Sequence, residues 1–427
     1  MREEKFKYQY TYHILPYIYE GRYDEYLTRL LKDTNIIEYR YDKIKNLEIF
    51  SYFKKDILES MFYEFPYKET EKISIQKKVN KLLKYESVTF EYDIIDKEKN
   101  KISMNDIVRV AGNEEYNNNE KNRGNIKFDI EDFKIIVFKS GIAFIILKTV
   151  LINTRYISDV MDFNYRFKSI LSKRDIIKKL DNIEICLLGD EVNGFEKLKQ
   201  IILNYVGKNK NNKILENNEE FYTFSYLCMD NIYINEENNK NILKNIYLKY
   251  SRILQSSYDT EGLDEETIVS KNMTEIKDTN IGITKISSML LCSGIDPFNF
   301  TVLPRDYETK MLYTYIIILY QKLFLVMINK ELTSENNKKQ KLGRIKFNDF
   351  ISKMWYNEIT LSEKGSIYYE YLKKILEINK TFDETQLKYK LIFRYNKTNK
   401  SNIFYKIMGM IGIISIGFNI YQYFFRK

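Results

Sequence analysis

The chain has 427 residues, of which 44% are hydrophobic and 30% are charged, and its formal net charge is +9. This composition argues against a disordered chain and predicts two or three domains with cores of their own. The single histidine, His13, excludes a catalytic triad, a two-histidine zinc site or a histidine phosphodiesterase centre within one chain. The positive charge suits an anionic ligand or an anionic membrane surface, and we expect no direct binding of nucleic acid.

The first part of the chain alternates between strand and helix patterns. Phe6 to Tyr19 alternates and is rich in β-forming residues, which predicts a strand that ends near Pro16. We interpret His13, within this strand, as a packed residue rather than a reactive one. The other predictions for this part are helices over 23–31 and 44–63, a strand over 87–95 and a loop over 112–125.

The clearest β pattern covers 133–152. Two apolar runs, FKIIVF and IAFIILKTVLI, flank Lys139-Ser140-Gly141, and glycine is usual where a turn needs a positive φ. The pattern therefore predicts a hairpin at the centre of a sheet. Because both runs are apolar at nearly every position, we expect helices to cover both faces of that sheet. A further strand is predicted over 221–234.

From Tyr307 onward the patterns are helical. The segment 311–329 is apolar almost all round and contains one charge, Lys322, which would cost about 2.5–3.5 kcal/mol near the middle of a membrane span. We therefore interpret it as a long buried helix, with a second membrane span as the alternative. After a polar break at 334–340, a helix from Phe347 to Phe382 is predicted from apolar spacing at Tyr371, Ile375, Ile378 and Phe382.

The segment 403–427 predicts a transmembrane helix. Residues 407–425 carry no charge, and a helix of this length spans roughly 28 Å, close to the hydrocarbon thickness of a bilayer. The larger basic flank, 388–406, should stay in the cytoplasm, which places most of the chain on the cytoplasmic side of the inner membrane. A buried or interfacial helix is the alternative. One face of the helix is polar and predicts a pore or contacts within a homo-oligomer: Ser415, Asn419 and Gln422.

No motif indicates catalysis, a metal site or a cofactor, and we predict that the protein is not an enzyme. The cysteines Cys186, Cys228 and Cys292 are odd in number and widely spaced, so we expect reduced core residues. The best candidate for anion binding follows the hairpin, where two arginines could fork onto phosphate and a tyrosine could stack on a base. Its residues are Arg155, Tyr156, Asn164, Tyr165 and Arg166; the alternative is that the arginines pair with Asp159 and Asp162.

Two phrases carry a family resemblance: FKIIVFKSGIAFIILKTVL with the following DFNYRF, and YTYIIILYQKLFLVMINKEL. With the arrangement of the chain, they resemble the CorA-type divalent-cation channels, and in particular the divergent membrane effectors of type III CRISPR defence. The resemblance implies a cytoplasmic domain that senses a nucleotide second messenger, a conjugate of S-adenosylmethionine and AMP. The channel family's Gly-Met-Asn loop is not matched, because Gly409-Met410 is followed by Ile411, so its metal selectivity and a role in magnesium transport are not carried over.

The sequence thus predicts an α+β chain with three parts. A cytoplasmic α/β sensor domain over 1–305 precedes a long helical stalk over 306–400 and the transmembrane helix over 403–427. The predicted function is an oligomeric effector of antiviral defence that binds a nucleotide ligand and opens or disrupts the membrane. The alternatives are a tail-anchored, protein-binding adaptor without pore activity and a membrane-bound nucleotide-processing enzyme.

Overall fold

The computed structural model describes residues 4–64, 74–92, 128–152, 154–169, 194–206, 220–230, 240–263 and 279–392. These residues form a mixed α/β fold around one eight-stranded sheet, which confirms the predicted mixture of strands and helices. Several predicted features lie outside the described residues: the loop over 112–125, Cys186, and the transmembrane helix with Ser415, Asn419 and Gln422.

The eight strands are mostly antiparallel. Their bounds are β1 (Phe6–Ile18), β2 (Ile36–Glu38), β3 (Ser87–Tyr92), β4 (Phe128–Phe138), β5 (Ile142–Leu151), β6 (Tyr222–Met229), β7 (Thr279–Ile283) and β8 (Ser287–Ser293). The strand order is β2-β3-β4-β5-β1-β6-β8-β7, and β6 and β8 are the parallel pair. The predicted hairpin is confirmed as β4 and β5, with Gly141 at φ +104° in its turn.

The helices lie between and after the strands. Their bounds are α1 (Tyr23–Lys32), α2 (Leu47–Tyr52), α3 (Lys55–Met61), α4 (Ile75–Leu82), α5 (Ile157–Phe167), α6 (Gly194–Val206), α7 (Lys240–Ser251), α8 (Phe298–Thr301), α9 (Leu303–Asp306), α10 (Leu312–Leu332), α11 (Asn337–Lys353) and α12 (Glu363–Ile375). A single π-helical turn, Tyr307–Met311, joins α9 to α10, and residues 378–392 are also helical.

β1 lies at the centre of the sheet and continues two residues beyond Pro16, where the sequence predicted its end. Proline is normally excluded from central strands because it lacks the amide donor. Here the ladder to β6 ends at the pair Ile14 and Tyr222, while Pro16 pairs with Phe144 of β5 only. One side of β1 therefore needs no donor at this position.

Helices cover both faces of the sheet, as the apolar hairpin predicts. On one face, here called the α5 face, side chains such as Leu15 and Leu147 form a single buried core with α1, α4, α5, α6 and α7. The opposite α10 face is covered by residues that follow β8. Phe138 stacks on Tyr320 of α10 at 4.0 Å between ring centroids, and Phe224 stacks on Tyr307 at 4.3 Å.

α10 is used as a core helix. Among the described residues, 303–332 is the one helical stretch that is long and apolar enough to cross a membrane. Of its most apolar 18 residues, 83% are buried inside the protein. This burial favours the predicted core helix over the alternative of a second membrane span.

Two predicted helices are wrong in their extent. The helix over 44–63 is interrupted at Phe53, which forms a bridge with Thr360, while the Lys54 amide donates to the Ile359 carbonyl at 2.9 Å. The helix over 347–382 is also broken, because residues 354–362 are not helical and Glu377 has a positive φ of 55°. In both segments, long-range contacts replace the helical hydrogen bonds.

The chain divides into two units. One consists of residues 1–324 and 351–378 and contains the whole sheet, while the other contains the described residues 325–350 and 379–392. In the second unit, Lys346 pairs with Glu331 at 2.7 Å, and Phe347 lies against Phe382 and Tyr389. The predicted division at 305, 400 and 403 stays a prediction, since its last segment lies outside the described residues.

Candidate functional site

The predicted ligand-binding residues lie in α5 and in the turn before it. This turn is fastened to the start of β1, because the Phe6 amide donates to the Arg155 carbonyl at 2.8 Å. Thr154 orders it further, since its hydroxyl accepts from the Tyr156 amide at 3.2 Å and donates to Asp159. α5 therefore begins at a fixed position, beside the first residues of β1.

The two arginines lie on the outside of this segment, near its opposite ends. Arg155 is exposed and Arg166 is half-buried. Arg155 lies two residues before α5, and the helix rises roughly 14 Å from Ile157 to Arg166. They are therefore placed to contact different groups of one ligand rather than a single phosphate.

Lysines add positive charge beside the predicted tyrosines. Lys5 Nζ lies 5.7 Å from the ring centroid of Tyr156, and Lys168 Nζ lies 5.3 Å from that of Tyr165. Both rings are half-buried and so keep part of their surface accessible. A cation near an aromatic ring at the protein surface favours the approach of an anion that can stack.

The aspartates that could neutralise these arginines have other partners. Asp162 accepts from the Ser256 amide at 2.8 Å and from its hydroxyl at 2.9 Å, and Asp159 accepts from Thr154. Among the described residues, neither aspartate pairs with Arg155 or Arg166. The surface pairing considered as the alternative for these arginines is not formed there.

Asn164 does not share the outer surface of α5. Its side chain is only 5% exposed and faces the sheet, where Tyr250 of α7 lies beside it. Thr11 of β1 lies directly opposite Thr149 of β5 and Ser225 of β6, so one row of the sheet is polar across three strands. We call this group the polar cluster; its members are Thr11, His13, Thr149, Asn164, Ser225 and Tyr250.

The hydrogen bonds around His13 fix its tautomer. The Thr149 hydroxyl donates to the Thr11 carbonyl at 3.2 Å, so its oxygen must accept the hydrogen bond from His13 Nε2 at 3.1 Å. The proton is therefore on Nε2, and Nδ1 is an acceptor. The ring is fully buried, 4.3 Å from the Phe167 ring, and burial lowers the pKa of His13 to about 3. His13 is a neutral side chain of the core, as the sequence predicts.

Tyr250 completes the polar cluster from α7. Burial raises the pKa of Tyr250 to about 12, and the nearby Ser225, Thr11 and Asn164 side chains limit the increase. These three side chains therefore lie close enough to interact with the Tyr250 hydroxyl. The cluster was not predicted from the sequence, although Gln9, Thr11 and His13 occupy alternate positions of β1 and so lie on one face.

A second polar group lies on the α10 face. Lys148 of β5 has a side chain that is 10% exposed, and its Nζ pairs with Glu308 at 2.9 Å and Glu131 at 3.0 Å. Nζ also lies 4.9 Å from the ring centroid of Tyr10. Burial by itself would lower the pKa of Lys148, but the two carboxylates outweigh it and raise that pKa. A lone lysine within an apolar strand was the sequence signal for this group.

Glu308 connects this lysine to the start of α10. It belongs to the π-helical turn, a conformation that often occurs at functional sites. The residue before it, Tyr307, packs on the sheet through Phe224. The ion pair therefore joins the centre of the sheet to the point from which α10 begins.

The two cysteines within the described residues, Cys228 and Cys292, are buried and free, as predicted. They lie opposite each other in the parallel β6–β8 pair. Among the described residues, no three histidine, cysteine, aspartate or glutamate side chains are placed to hold a metal ion.

No protein-family model, curated protein or solved structure matches this chain. Its function is therefore inferred from its own residues. The resemblance to CorA-like effectors stays a prediction.

We expect His13 to destabilise the fold as the pH decreases below 6.5. The pKa of His13 in the folded protein is about 3, whereas an unfolded histidine titrates near 6.5, so the unfolded state binds the additional proton between these values. The free energy of unfolding should have its full value above pH 6.5 and should decrease by about 1.4 kcal/mol per pH unit below it. Urea unfolding of the wild type and of His13→Gln at several pH values measures this decrease, and parallel profiles for the two proteins would contradict it.

We expect Lys148 to be coupled more strongly to Glu308 than to Glu131. The Glu308 side chain is 30% exposed and that of Glu131 is 44% exposed, so water screens the second pair more. Double-mutant cycles that combine Lys148→Met with Glu308→Gln or Glu131→Gln should give coupling energies of about 1–3 kcal/mol and below about 1 kcal/mol, respectively. Equal coupling energies in the two cycles would contradict the prediction that Lys148 is bound more strongly to Glu308 than to Glu131.

Proposed function

We propose that this protein is an oligomeric, membrane-anchored effector whose cytoplasmic sheet domain binds a nucleotide second messenger. The observation that carries the proposal is the uncharged run 407–425 with basic residues on both sides. The assignment of 407–425 itself rests on the sequence, since this segment lies outside the described residues.

The outer surface of α5 is the proposed site for the messenger. Arg155 and Arg166 have no acidic partner among the described residues, and Lys5 and Lys168 add to the positive charge around them. A ligand with two separated polar ends and a base fits this spacing better than a single phosphate. A conjugate of S-adenosylmethionine and AMP, the class implied by the resemblance, has such a form.

The Lys148–Glu308 pair is the proposed link between the messenger and the membrane. α5 packs on the sheet through residues such as Val160, and Lys148 of the same sheet holds Glu308 at the start of α10. Single π-helical turns are rare and frequent at functional sites, and this one lies at the start of α10. The messenger would act by binding one arrangement of this turn more tightly than another.

The alternative is a tail-anchored adaptor, in which the last helix tethers a protein-binding domain. Both hypotheses require the membrane, but only the effector changes its permeability. The polar stripe of Ser415, Asn419 and Gln422 favours the effector, because amides inside a bilayer need partners from other helices or from water. A homo-oligomer would supply these partners.

We expect removal of residues 403–427 to release the protein from membranes. The intact chain should sediment with the membrane fraction of lysed cells, and the truncated chain should stay in the supernatant, because only the intact chain has the proposed span. Dye release from liposomes should require both the intact chain and the messenger, and Asn419→Leu with Gln422→Leu should reduce it.

Two outcomes of this experiment would count against the proposal. Identical partition of the two chains would remove the membrane anchor. Membrane binding without any messenger-dependent release would favour the adaptor.

We expect Arg155→Ala and Arg166→Ala each to weaken binding of the messenger about tenfold, since each removes one charge-assisted contact. Isothermal titration with the conjugate of S-adenosylmethionine and AMP measures this effect, with ATP as a second probe. Arg22→Ala is a matched control, because Arg22 is exposed but already paired with Asp24. Unchanged affinity in both α5 variants would remove the proposed site.

A further inference from the structure

α11 carries apolar side chains on two opposite faces. On its inner face, Phe347 and Phe350 are buried. On its outer face, two lysines and two large apolar residues occupy positions i, i+3, i+4 and i+7, which form one side of a helix. All four are exposed, and we call them the α11 patch: Lys338, Lys341, Leu342 and Ile345.

The apolar half of the α11 patch is open to solvent. Leu342 is 49% exposed and Ile345 is 51% exposed, although the other face of the same helix is packed. Removing neighbouring apolar side chains from water is favourable, so this half of the patch gains free energy when it is covered. Asp349, one turn beyond Ile345, ends the patch with an acidic residue.

The basic half of the α11 patch does not stabilise its own helix. The first turn of α11 contains no acidic residue, and lysines near the amino end of a helix are repelled by the positive end of its dipole. Among the described residues, neither Lys338 nor Lys341 has an acidic partner. Their charges are therefore available to an anionic partner outside the chain.

A lipid surface matches both halves of the α11 patch. Leucine and isoleucine side chains partition into the boundary between headgroups and acyl chains, while lysines beside them reach the anionic headgroups. Nucleic acid would use the lysines alone, because its phosphate backbone gains little from an exposed leucine or isoleucine. The combination of charge and apolar surface thus favours lipid over nucleic acid.

The connection to the proposed membrane span keeps α11 within reach of the bilayer. The residues of the α11 patch belong to the same unit as 379–392, and Phe347 lies 5.5 Å from the Tyr389 ring of that segment. Ten residues, 393–402, separate this segment from the proposed span. Even a fully extended chain of ten residues covers no more than roughly 35 Å. An anchored chain therefore holds this unit close to the membrane surface.

We infer that the α11 patch docks on the anionic surface of the membrane, with Leu342 and Ile345 among the headgroups and Lys338 and Lys341 on lipid phosphates. The inference rests on the proposed membrane anchor for its reach, and it adds a second contact with a different requirement. The anchor inserts into a bilayer of any charge, whereas the α11 patch needs anionic lipid.

The first test measures the accessibility of the lysines in the full chain. The protein is synthesised in a cell-free system with vesicles of phosphatidylcholine, with or without phosphatidylglycerol, and is recovered by flotation. Acetylation of Lys338 and Lys341, followed by mass spectrometry, should be about fivefold slower on the anionic vesicles than on the neutral ones. Lys55 is the control, because its side chain is 88% exposed in the other unit, and it should react equally on both.

The second test removes the apolar half of the α11 patch. Leu342→Ser combined with Ile345→Ser should return acetylation of the two lysines on anionic vesicles to the rate on neutral vesicles. Leu387→Ser combined with Leu391→Ser is the matched control, because these residues are 59% and 55% exposed in the same unit but outside the patch. The control variant should keep the slow acetylation of the wild type.

The outcomes separate the α11 patch from the anchor. Flotation with both lipids but equal acetylation rates keeps the anchor and overturns the inference, as does equally slow acetylation on both, which indicates a protein contact. Flotation with anionic vesicles alone, lost in the Leu342 and Ile345 variant, supports the patch and removes the anchor. Flotation with neither removes both. Slower acetylation with duplex DNA and no vesicles, to the same extent as with anionic lipid, would also overturn the inference.

Discussion

The described fold depends on the burial of β1 from both sides. This strand lies between β5 and β6 and is covered by helices on both faces, so its side chains alternate between two closed environments. Tyr10 and Tyr12 point to the α10 face, and Thr11 and His13 point to the α5 face. Each polar group on the strand must therefore find its partner inside the protein, because water has no access to it.

The two faces meet this requirement differently. On the α10 face, the Tyr10 hydroxyl donates to the Pro304 carbonyl at 2.8 Å, and Lys148 is neutralised by two carboxylates, which attaches α10 to the sheet. On the α5 face, the polar row across three strands interacts within itself and with α7, since the Thr149 hydroxyl donates to the Thr11 carbonyl at 3.2 Å and the Tyr250 hydroxyl lies beside Thr11 and Ser225. Lys148 and Thr149 are consecutive in β5, one on each face. Adjacent positions of one strand therefore lie in two different environments, one charged and one neutral.

Local patterns in the sequence were enough to predict the strands and helices that are apolar on every side. The β4–β5 hairpin was predicted because its strands are apolar on both faces and its turn contains Gly141, and α10 because it is apolar all round. α1 was predicted to within one residue by its three- and four-residue spacing. The strands β7 and β8 were missed, because their short polar and small residues resemble loop sequence.

Only the tertiary structure decided which residues of the candidate sites meet. The sequence grouped Asn164 with Arg155 and Arg166, but the register of α5 turns Asn164 toward the sheet and leaves the arginines outside. The pairing of Lys148 with Glu308 could not be predicted, because the two residues are 160 positions apart in the sequence. The physical reason is that periodicity records whether a side chain is buried or exposed, while the identity of its partner depends on strand order and helix packing.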